Sequence, residues 1–309
     1  MLFRKNIYAF CKNARKDRRY VLAMQYYPYI CASLFLTTTM KKYILLTLLT
    51  ALCATCLRAQ TGEKVVVFKT NVGTMKARLY ADVPNHVRAF VERANKGAFD
   101  GTLFTRVIRE FMIQGGAIDS RNAAPGARCG FGSKRSEIPP EIVPSYFHKK
   151  GALAAPRHPD DINPEKKSDM SQFFIVHGKV YREGELDTLE RVANKKIRTA
   201  ALQKYYMPER VNLKFLKRDN PLEFNKRLRR INFLVDSTIR ATPGHLLFSP
   251  EQRKAYTTIG GCHHLDGVYT IYGEVFEGLE LIDLIANQPK DKYDRPRKDM
   301  RIISIRIQQ

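Results

Sequence analysis

The stretch FTRVIREFMIQGG, at residues 104–116, decides which fold this chain can adopt. Two short apolar runs, 103–108 and 111–114, stand on either side of a polar pair, and Gly115 and Gly116 end the second run. Short apolar runs bounded by polar residues and glycines are typical of strands joined by tight turns. The stretch therefore predicts a hairpin or a bent pair of strands.

Two polar side chains interrupt these apolar runs. Arg106 stands between Phe104 and Val107, and Gln114 ends the second run. Such a strand pair would form an apolar wall carrying one cation and one amide, which suits an apolar ligand with a carbonyl group. Alternatively, the apolar residues belong to an ordinary barrel or sandwich core, and the arginine lies on a solvated face. The stretch alone leaves both interpretations open.

The flanking segments predict further strands and two helices. A tight turn at 71–73 separates two β-rich runs, and Pro84 begins a segment whose apolar residues recur at helical spacing. Near the end of the chain, an apolar run that can continue a helix precedes an alternating run. This order predicts a small barrel with a helix at one end. The predicted strands are 64–70, 74–80 and 300–307, and the predicted helical segments begin at Pro84 and include 281–286.

Three later segments carry recognisable motifs. Residues 151–157 read GALAAPR, residues 171–176 read SQFFIV, and residues 265–275 read LDGVYTIYGEV. Together with FTRVIREFMIQGG, and in the same order, they resemble the signatures of the cyclophilin-type peptidyl-prolyl cis-trans isomerases. The resemblance covers about 65–178 and 256–307. It implies a mostly β fold, namely a closed eight-stranded antiparallel barrel capped by two helices.

The resemblance also implies the position of an active site. It makes Arg106 the catalytic residue, and a guanidinium suits this role because it stays charged and offers donors in a fixed fork. It implies that Gln114 binds the substrate backbone and that Gln172 supports the groove. The proline pocket and groove wall that it implies consist of Phe111, Met112, Phe174, Leu265, Tyr269, Ala155 and Pro156.

The chain departs from the family pattern at several of these positions. Pro156-Arg157 replaces the common Ala-Asn pair, which stiffens the wall that would pair with a substrate and removes one N–H donor. Tyr269 replaces a pocket histidine, and His264 stands where many members carry tryptophan. An aromatic ring at Tyr269 can serve the same packing role, so we expect isomerase activity to persist.

Residues 179–256 form an insertion that the family core lacks. N-cap signals at Asn220-Pro221 and Ser249-Pro250 predict two helices, and 187–205 is a looser third candidate. The insertion holds 18 Lys/Arg and 9 Asp/Glu. It could act as a lid, dock acidic clients or contact an anionic envelope surface. The alternative is a solvated surface that packs its apolar face on the barrel.

The N-terminal residues predict export. Residues 40–59 combine a charged pair, an apolar run and a small residue, as in a secretory signal peptide cleaved near Ala59. We therefore expect a periplasmic protein whose domain covers 60–309, and we interpret 1–39 as a non-native upstream extension. An uncleaved membrane anchor at 20–40 is the alternative.

No cofactor or metal site is predicted. The adjacent Cys262, His263 and His264 lack a regular ligand spacing, and the chain carries no phosphate-binding or dinucleotide motif. Removal of the first 59 residues leaves two of six cysteines, Cys129 and Cys262, which either pair or stay free. An exported location and the lack of a recognised motif also disfavour nucleic acid as a partner.

These observations support two hypotheses of function. The first is a peptidyl-prolyl cis-trans isomerase that acts on Xaa-Pro bonds of exported proteins and assists their folding. Its partners would be proline-containing polypeptide clients. The second is a non-catalytic peptide-binding chaperone or assembly factor that uses the groove and the basic insertion.

Overall fold

A computed structural model describes residues 64–131 and 136–308. The predicted upstream extension at 1–39, the signal peptide at 40–59 with its cleavage at Ala59, and the alternative anchor at 20–40 all lie outside these ranges. None of the helices within the described ranges is both long enough and apolar enough to cross a membrane.

The chain begins with the predicted hairpin and helix. Strand β1 (Val65–Thr70) pairs antiparallel with β2 (Gly73–Leu79). The Thr70 hydroxyl donates to the Gly73 carbonyl oxygen at 2.7 Å and closes the turn, where Gly73 has φ +145°. Helix α1 (Pro84–Asn95) starts at its proline and buries Phe90 and Ala94, as its apolar spacing predicts.

Eight strands form one curled antiparallel sheet. The remaining strands of this sheet are β3 (Phe104–Ile108), β4 (Met112–Gly115), β6 (Ala152–Ala154), β8 (Phe173–Val176), β9 (Ile271–Glu277) and β10 (Ile302–Ile307). Their spatial order is β10-β1-β2-β9-β6-β8-β4-β3. Two short strands, β5 (Glu137–Ile138) and β7 (Ser168–Asp169), pair separately.

The fully closed barrel that was predicted is not confirmed. The edge strands β3 and β10 do not form a ladder, and one bridge between Leu103 and Arg301, just before each strand, joins them. At the start of β3 the Phe104 N–H donates to the Met300 carbonyl oxygen at 2.9 Å, whereas farther along the Val107 N–H donates at 2.8 Å to the carbonyl oxygen of Asp294, in the loop that precedes β10. The described chain is therefore a curled eight-stranded sheet.

Both faces of this sheet are apolar. Side chains alternate between faces along a strand, and in β8 Phe173 and Ile175 join the large inner core while Phe174 and Val176 join a second cluster on the outer face. Helix α1 and helix α7 (Leu279–Ala286) both contribute to the inner core, as the two predicted capping helices should. The outer cluster contains five of the predicted pocket residues.

The insertion is helical, with five helices where three were predicted. These are α2 (Glu183–Ala193), α3 (Lys195–Tyr205), α4 (Arg210–Asp219), α5 (Pro221–Ala241) and α6 (Pro250–Thr258). The predicted caps form, since Asn220 accepts from the Glu223 N–H, and Ser249 and Gln252 make a reciprocal capping box.

The looser candidate at 187–205 is interrupted rather than continuous. The Asn194 side chain donates to the Leu246 carbonyl oxygen at 2.7 Å and accepts from the Leu246 N–H at 2.9 Å. This pair of hydrogen bonds ties the junction of α2 and α3 to a distant loop, and the helix divides there. Helix α4 was not predicted because it buries only Leu213 and is otherwise dominated by charge.

Candidate functional site

The predicted site residues form a row across neighbouring strands. Arg106 in β3 is paired with Gln114 in β4, Gln114 with Phe174 in β8, and Phe174 with Ala154 in β6. Residues directly opposite one another in a sheet project from the same face. The sheet register therefore sets one cation, one amide and one aromatic ring side by side on the outer face.

Arg106 is accessible at the end of this row. Its side chain is 45% exposed, and its Nε lies 3.6 Å from an oxygen of Asp294. The carboxylate of Asp294 also pairs with Lys290 at 2.6 Å, so Arg106 and Lys290 share it. The guanidinium carbon lies 5.9 Å from the centre of the Phe111 ring. The cation is thus near the apolar cluster without being covered by the insertion.

A polar cavity of about 270 Å³ opens beside Arg106. Its wall includes Gln114 and residues from the loop that precedes β10, which sequence motifs did not identify. Arg128 lies in this wall, and its guanidinium carbon is 5.3 Å from the ring centres of both Phe131 and Tyr293. The lining residues are Thr105, Arg106, Gln114, Arg128, Cys129, Gly130, Phe131, Tyr293 and Asp294.

Two glutamine side chains, Gln114 of the row and the buried Gln172, are hydrogen-bonded to each other. The Gln114 side-chain nitrogen donates to the Gln172 oxygen at 3.1 Å. Gln172 is almost completely buried, and its own nitrogen lies 3.4 Å from both the Gly130 carbonyl oxygen and an Asp169 carboxylate oxygen. Gln172 therefore orients the Gln114 amide, and its supporting role for substrate binding stays a prediction.

Five predicted pocket residues belong to one apolar cluster. Met112, Phe174 and Leu265 form its buried part, with 2% to 5% of each residue exposed. Phe111 and Tyr269 are half-buried at its margins, and the Tyr269 ring meets Phe174 edge-on at a centroid distance of 6.0 Å. These residues come from three separate segments, so the cluster exists only in the folded chain.

Ala155 and Pro156 are placed differently from the pocket residues. The Ala155 side chain joins the inner core, and its N–H donates to the Thr270 carbonyl oxygen at 3.0 Å. The Pro156 carbonyl oxygen accepts from the Asp169 N–H at 2.7 Å. Both backbone groups are therefore hydrogen-bonded inside the protein. Ala155 directly follows β6, and the alternation of side chains along that strand turns its methyl group away from the outer cluster.

Arg157, which together with Pro156 replaces the common Ala-Asn pair of the family, lies in the pocket wall. Its side chain is 4% exposed, and its guanidinium carbon lies 4.7 Å from the centre of the Tyr269 ring. It also donates to the Val268 carbonyl oxygen at 3.2 Å and to Asp160 at 2.6 Å. Arg157 thus fixes the ring of Tyr269 through a cation–π contact.

His264 lies at the margin of the pocket, stacked on Phe111 at a centroid distance of 5.5 Å. Burial, and then the nearby His148, lower the pKa of His264 below its ordinary value of 6.5. Burial likewise lowers the pKa of His86, His177 and His263. All four side chains therefore favour the neutral form in the folded protein.

We expect these histidines to make the protein less stable in acid. Below about pH 6.5 the unfolded chain binds protons that the folded chain does not, so stability is complete above that pH and falls toward the lower folded pKa values. The thermal unfolding midpoint should drop between pH 7.5 and pH 5.5, by about 2 to 4 °C for each kcal/mol lost. His264→Gln should flatten this dependence, whereas the exposed His158→Gln should not. A midpoint that stays level over this range would contradict the prediction.

The two cysteines of the described chain, Cys129 and Cys262, are free thiols. Cys262 is buried, and its Sγ lies 3.3 Å from the Phe111 carbonyl oxygen. Burial and the nearby Asp266 raise the pKa of Cys262 to about 12. This thiol therefore packs against the pocket as a small apolar group rather than as a nucleophile.

Sequence reasoning missed His148 and the role of Asp266. The His148 ring lies parallel to Phe174 at a centroid distance of 6.1 Å, and its Nδ1 lies 3.0 Å from an Asp266 oxygen. A lone histidine before two lysines carries no pattern that would single it out. Asp266, however, sits in the LDG motif beside Leu265, and a buried partner for it could have been sought.

This arrangement suits the stabilisation of a twisted amide. Rotation about a peptide bond must break amide resonance, with a barrier of roughly 18–20 kcal/mol. In the twisted state the proline nitrogen becomes pyramidal and gains a lone pair, and a fixed guanidinium can donate to it. The half-buried Phe111 and Tyr269, at the margins of the outer cluster, offer apolar surface for the ring, and Gln114 offers polar contacts for the backbone.

Comparisons with known proteins agree with this geometry. The sequence model for "Cyclophilin type peptidyl-prolyl cis-trans isomerase/CLD" matches residues 65–195 and 251–307, more than half of the chain. Relatives named as peptidyl-prolyl cis-trans isomerases include one from Staphylococcus haemolyticus, 28% identical over 81% of this chain and 93% of its own. Another, from Staphylococcus aureus, is 27% identical over 81% of this chain and 94% of its own.

Solved structures of the same description also match. A cyclophilin type peptidyl-prolyl cis-trans isomerase of Cryptosporidium parvum, crystallised in the presence of the dipeptide Ala-Pro, is 17% identical, with a TM-score of 0.45. The match covers 79% of this chain and 99% of that one. The family-model match, which covers the strands of the site, is the decisive finding. The chain belongs to the cyclophilin-type peptidyl-prolyl cis-trans isomerase family.

Proposed function

We propose that this protein is a peptidyl-prolyl cis-trans isomerase that acts on Xaa-Pro bonds of exported proteins and assists their folding. Arg106 would donate to the proline nitrogen as the amide twists, and the outer cluster would hold the proline ring. The catalyst needs only to bind the twisted amide better than either planar form, so no covalent step is required.

The observation that supports this function best is the register across β3, β4 and β8. It sets Arg106, Gln114 and Phe174 in one row on one face of the sheet. Met112 projects from the same face of β4 as Gln114, two residues away. A solvent-accessible cation beside an apolar surface is the combination that a twisted prolyl amide requires.

The direct test is the rate of cis-trans exchange in a short Xaa-Pro peptide. Uncatalysed exchange takes on the order of 10 to 100 s at 25 °C, so acceleration by the chain without residues 1–59 is easily measured. Exchange at the uncatalysed rate, from a protein whose circular dichroism shows that it is folded, would overturn the proposal.

The location of this activity rests on the residues before the domain. The signal-like segment at 40–59 supports export and cleavage near Ala59, and hence a periplasmic domain spanning 60–309. Sequencing the N terminus of the protein recovered from the cell envelope tests both points. A mature chain that retains residues 20–40 would instead favour a membrane anchor.

The second candidate function, a chaperone that docks clients on the insertion, is favoured by the charge of helices α3, α4 and α5. We name residues 195–241 the basic lobe. It holds 13 Lys/Arg and 4 Asp/Glu, a net charge of +9, which is the whole excess of the insertion. The lobe has its own apolar core, formed around Leu213, Ile231 and Val235.

All four acidic side chains of the basic lobe are already paired with arginines of the lobe. Asp219 pairs with Arg218 at 2.6 Å, Asp236 lies 3.9 Å from Arg198, and Glu209 and Glu223 share Arg227. Across the described part of the chain, the other ten cations of the lobe have no ion-pair partner within 4.0 Å. This excess of positive charge on the surface of the lobe supports docking of acidic segments of a client polypeptide.

We expect client binding to depend on this charge. The triple variant Lys214→Glu, Lys217→Glu and Arg229→Glu should weaken binding of an unfolded, acidic, proline-containing polypeptide by about tenfold or more at low salt. The difference should shrink as salt rises toward 1 M, because the Debye length falls from about 10 Å at 0.1 M to about 3 Å at 1 M. Fluorescence anisotropy of a labelled client measures both effects.

The matched control reverses three exposed cations outside the lobe, Lys64, Lys69 and Lys96. Both triple variants change the net charge by the same amount, so only a local effect separates them. Equal weakening in the two would leave net charge as the explanation and remove the lobe as a docking site. Binding of anionic lipid vesicles but not of the acidic polypeptide would favour an envelope surface as the partner instead.

A further inference from the structure

A carboxylate connects the basic insertion with the predicted proline pocket. One oxygen of Asp266 accepts from the His148 backbone N–H at 2.7 Å and lies 3.0 Å from the His148 Nδ1. The other oxygen accepts a hydrogen bond from the Tyr256 hydroxyl and lies 3.5 Å from the Gln252 side-chain nitrogen. Tyr256 and Gln252 both belong to α6, which lies at the end of the predicted insertion, and both lie within the residues that the family model matches. His148 belongs to the segment before β6.

On the pocket side of this connection, Asp266 binds the His148 side chain. Asp266 directly follows Leu265, and the His148 ring is stacked on Phe174 and meets Tyr269 edge-on at 6.4 Å. His148 is fully buried, and within the described residues its Nε2 has no hydrogen-bond partner. In the described part of the chain, the polar contacts of this side chain are therefore those to Asp266, which orient the ring.

The α6 side is closely packed. Tyr256 is fully buried in a junction cluster with Leu186 and Phe248, which partly buried Phe147 and Tyr181 extend. Burial, and then the charge of Asp266, raise the pKa of Tyr256 far above its ordinary value. The phenol therefore stays protonated and donates a hydrogen bond to the carboxylate. A hydrogen bond to a charged acceptor in a buried setting is one of the stronger kinds.

We propose that Tyr256 is a positioning residue for prolyl isomerisation. Its hydroxyl holds Asp266, Asp266 holds Leu265 and His148, and His148 supports the Phe174 ring. By this route α6 sets the shape of the pocket without touching the substrate. The inference rests on the proposed isomerase function and assigns α6 a role in it.

The test removes one oxygen atom. Tyr256→Phe keeps the buried ring and deletes only the hydrogen bond to Asp266, and we expect kcat/KM for a short Xaa-Pro peptide to fall about tenfold, equivalent to about 1.4 kcal/mol. The matched control is Tyr181→Phe, which deletes the same atom from the neighbouring ring of the insertion, 6.2 Å from Tyr256 between centroids. The control should stay within about twofold of the unmodified protein.

Two further readouts separate positioning from general stability. Sucrose stabilises folded proteins by its exclusion from their surface, so a loss that comes only from partial unfolding should be restored by it, and the expected loss should not. The ¹³C-methyl resonance of Met112, assigned with Met112→Leu, should move in Tyr256→Phe and stay in place in Tyr181→Phe. Restoration by sucrose, an unmoved Met112 resonance, or activity within twofold of the unmodified protein would each overturn the inference.

Failure of the inference is distinguishable from failure of the proposed function. If the unmodified protein does not accelerate exchange, the isomerase proposal fails, and the Met112 resonance then tests the connection by itself. If the unmodified protein is active and Tyr256→Phe is equally active, only the role of Tyr256 is lost.

Discussion

Arg106→Ala should lower kcat/KM for a short Xaa-Pro peptide by roughly 10²- to 10³-fold, the cost typical of removing one donor to a developing charge in a transition state. Arg106 is the cation of the row that also holds Gln114 and Phe174. The substitution removes the group that would donate to the pyramidal proline nitrogen. Because Arg106 is 45% exposed, we expect the unfolding midpoint to change little.

Arg106→Lys should recover only part of the activity, because an ammonium group lacks the planar fork of donors. The matched control is Arg109→Ala, which removes the same charge from an exposed position three residues away. Exchange rates measured by NMR on one peptide compare all three variants. Equal activity in Arg106→Ala and Arg109→Ala would rule out a catalytic role for Arg106, and with it the proposed mechanism.

Gly261→Ala should destabilise the protein by about 2 to 4 kcal/mol, in the range of severe overpacking. Gly261 bridges to both Lys149 and Lys179, where the insertion leaves and rejoins the sheet. An added Cβ would overlap the Tyr256 ring and lie 2.5 Å from the His148 carbonyl oxygen. Neither neighbour can retreat, because one is a buried ring and the other is backbone.

Thermal unfolding measures this effect, with an expected fall of about 2 to 4 °C in midpoint per kcal/mol for a domain of this size. Activity should fall with it, since Tyr256 and His148 are the residues displaced. The matched control is Gly184→Ala in α2, where an added Cβ has no atom within 4 Å among the described residues. Alanine also favours the helix there. If Gly261→Ala and Gly184→Ala unfold at the same temperature, the close packing at Gly261 is not a constraint.

Local patterns predicted much of the fold because their physics is local. The spacing of Phe90 and Ala94 fixes the buried side of α1, and the caps at Asn220 and Ser249 fix where two insertion helices begin. The closed barrel was not confirmed, because the hydrogen bond from Val107 to Asp294 depends on a loop about 190 residues later. The division at Asn194 likewise depends on its contact with the distant Leu246.

Local sequence patterns also located some of the predicted site residues. Phe111, Met112 and Phe174 lie in strands whose motifs were recognised, and the sheet register brings them together on one face. Ala155 was assigned to the groove by its motif, but the alternation of β6 turns its side chain into the inner core. A motif identifies a residue, whereas only strand pairing determines the face of the sheet from which its side chain projects.

The sequence by itself determined the family, the strand and helix signals, the basic insertion and the identity of Arg106 as the cation to test. These follow from side-chain chemistry and short-range spacing. Only the tertiary structure decided that Tyr256 of the insertion reaches Asp266, and that His148 lies beneath Phe174. Such contacts join residues from separate segments, and chain folding alone sets their distances.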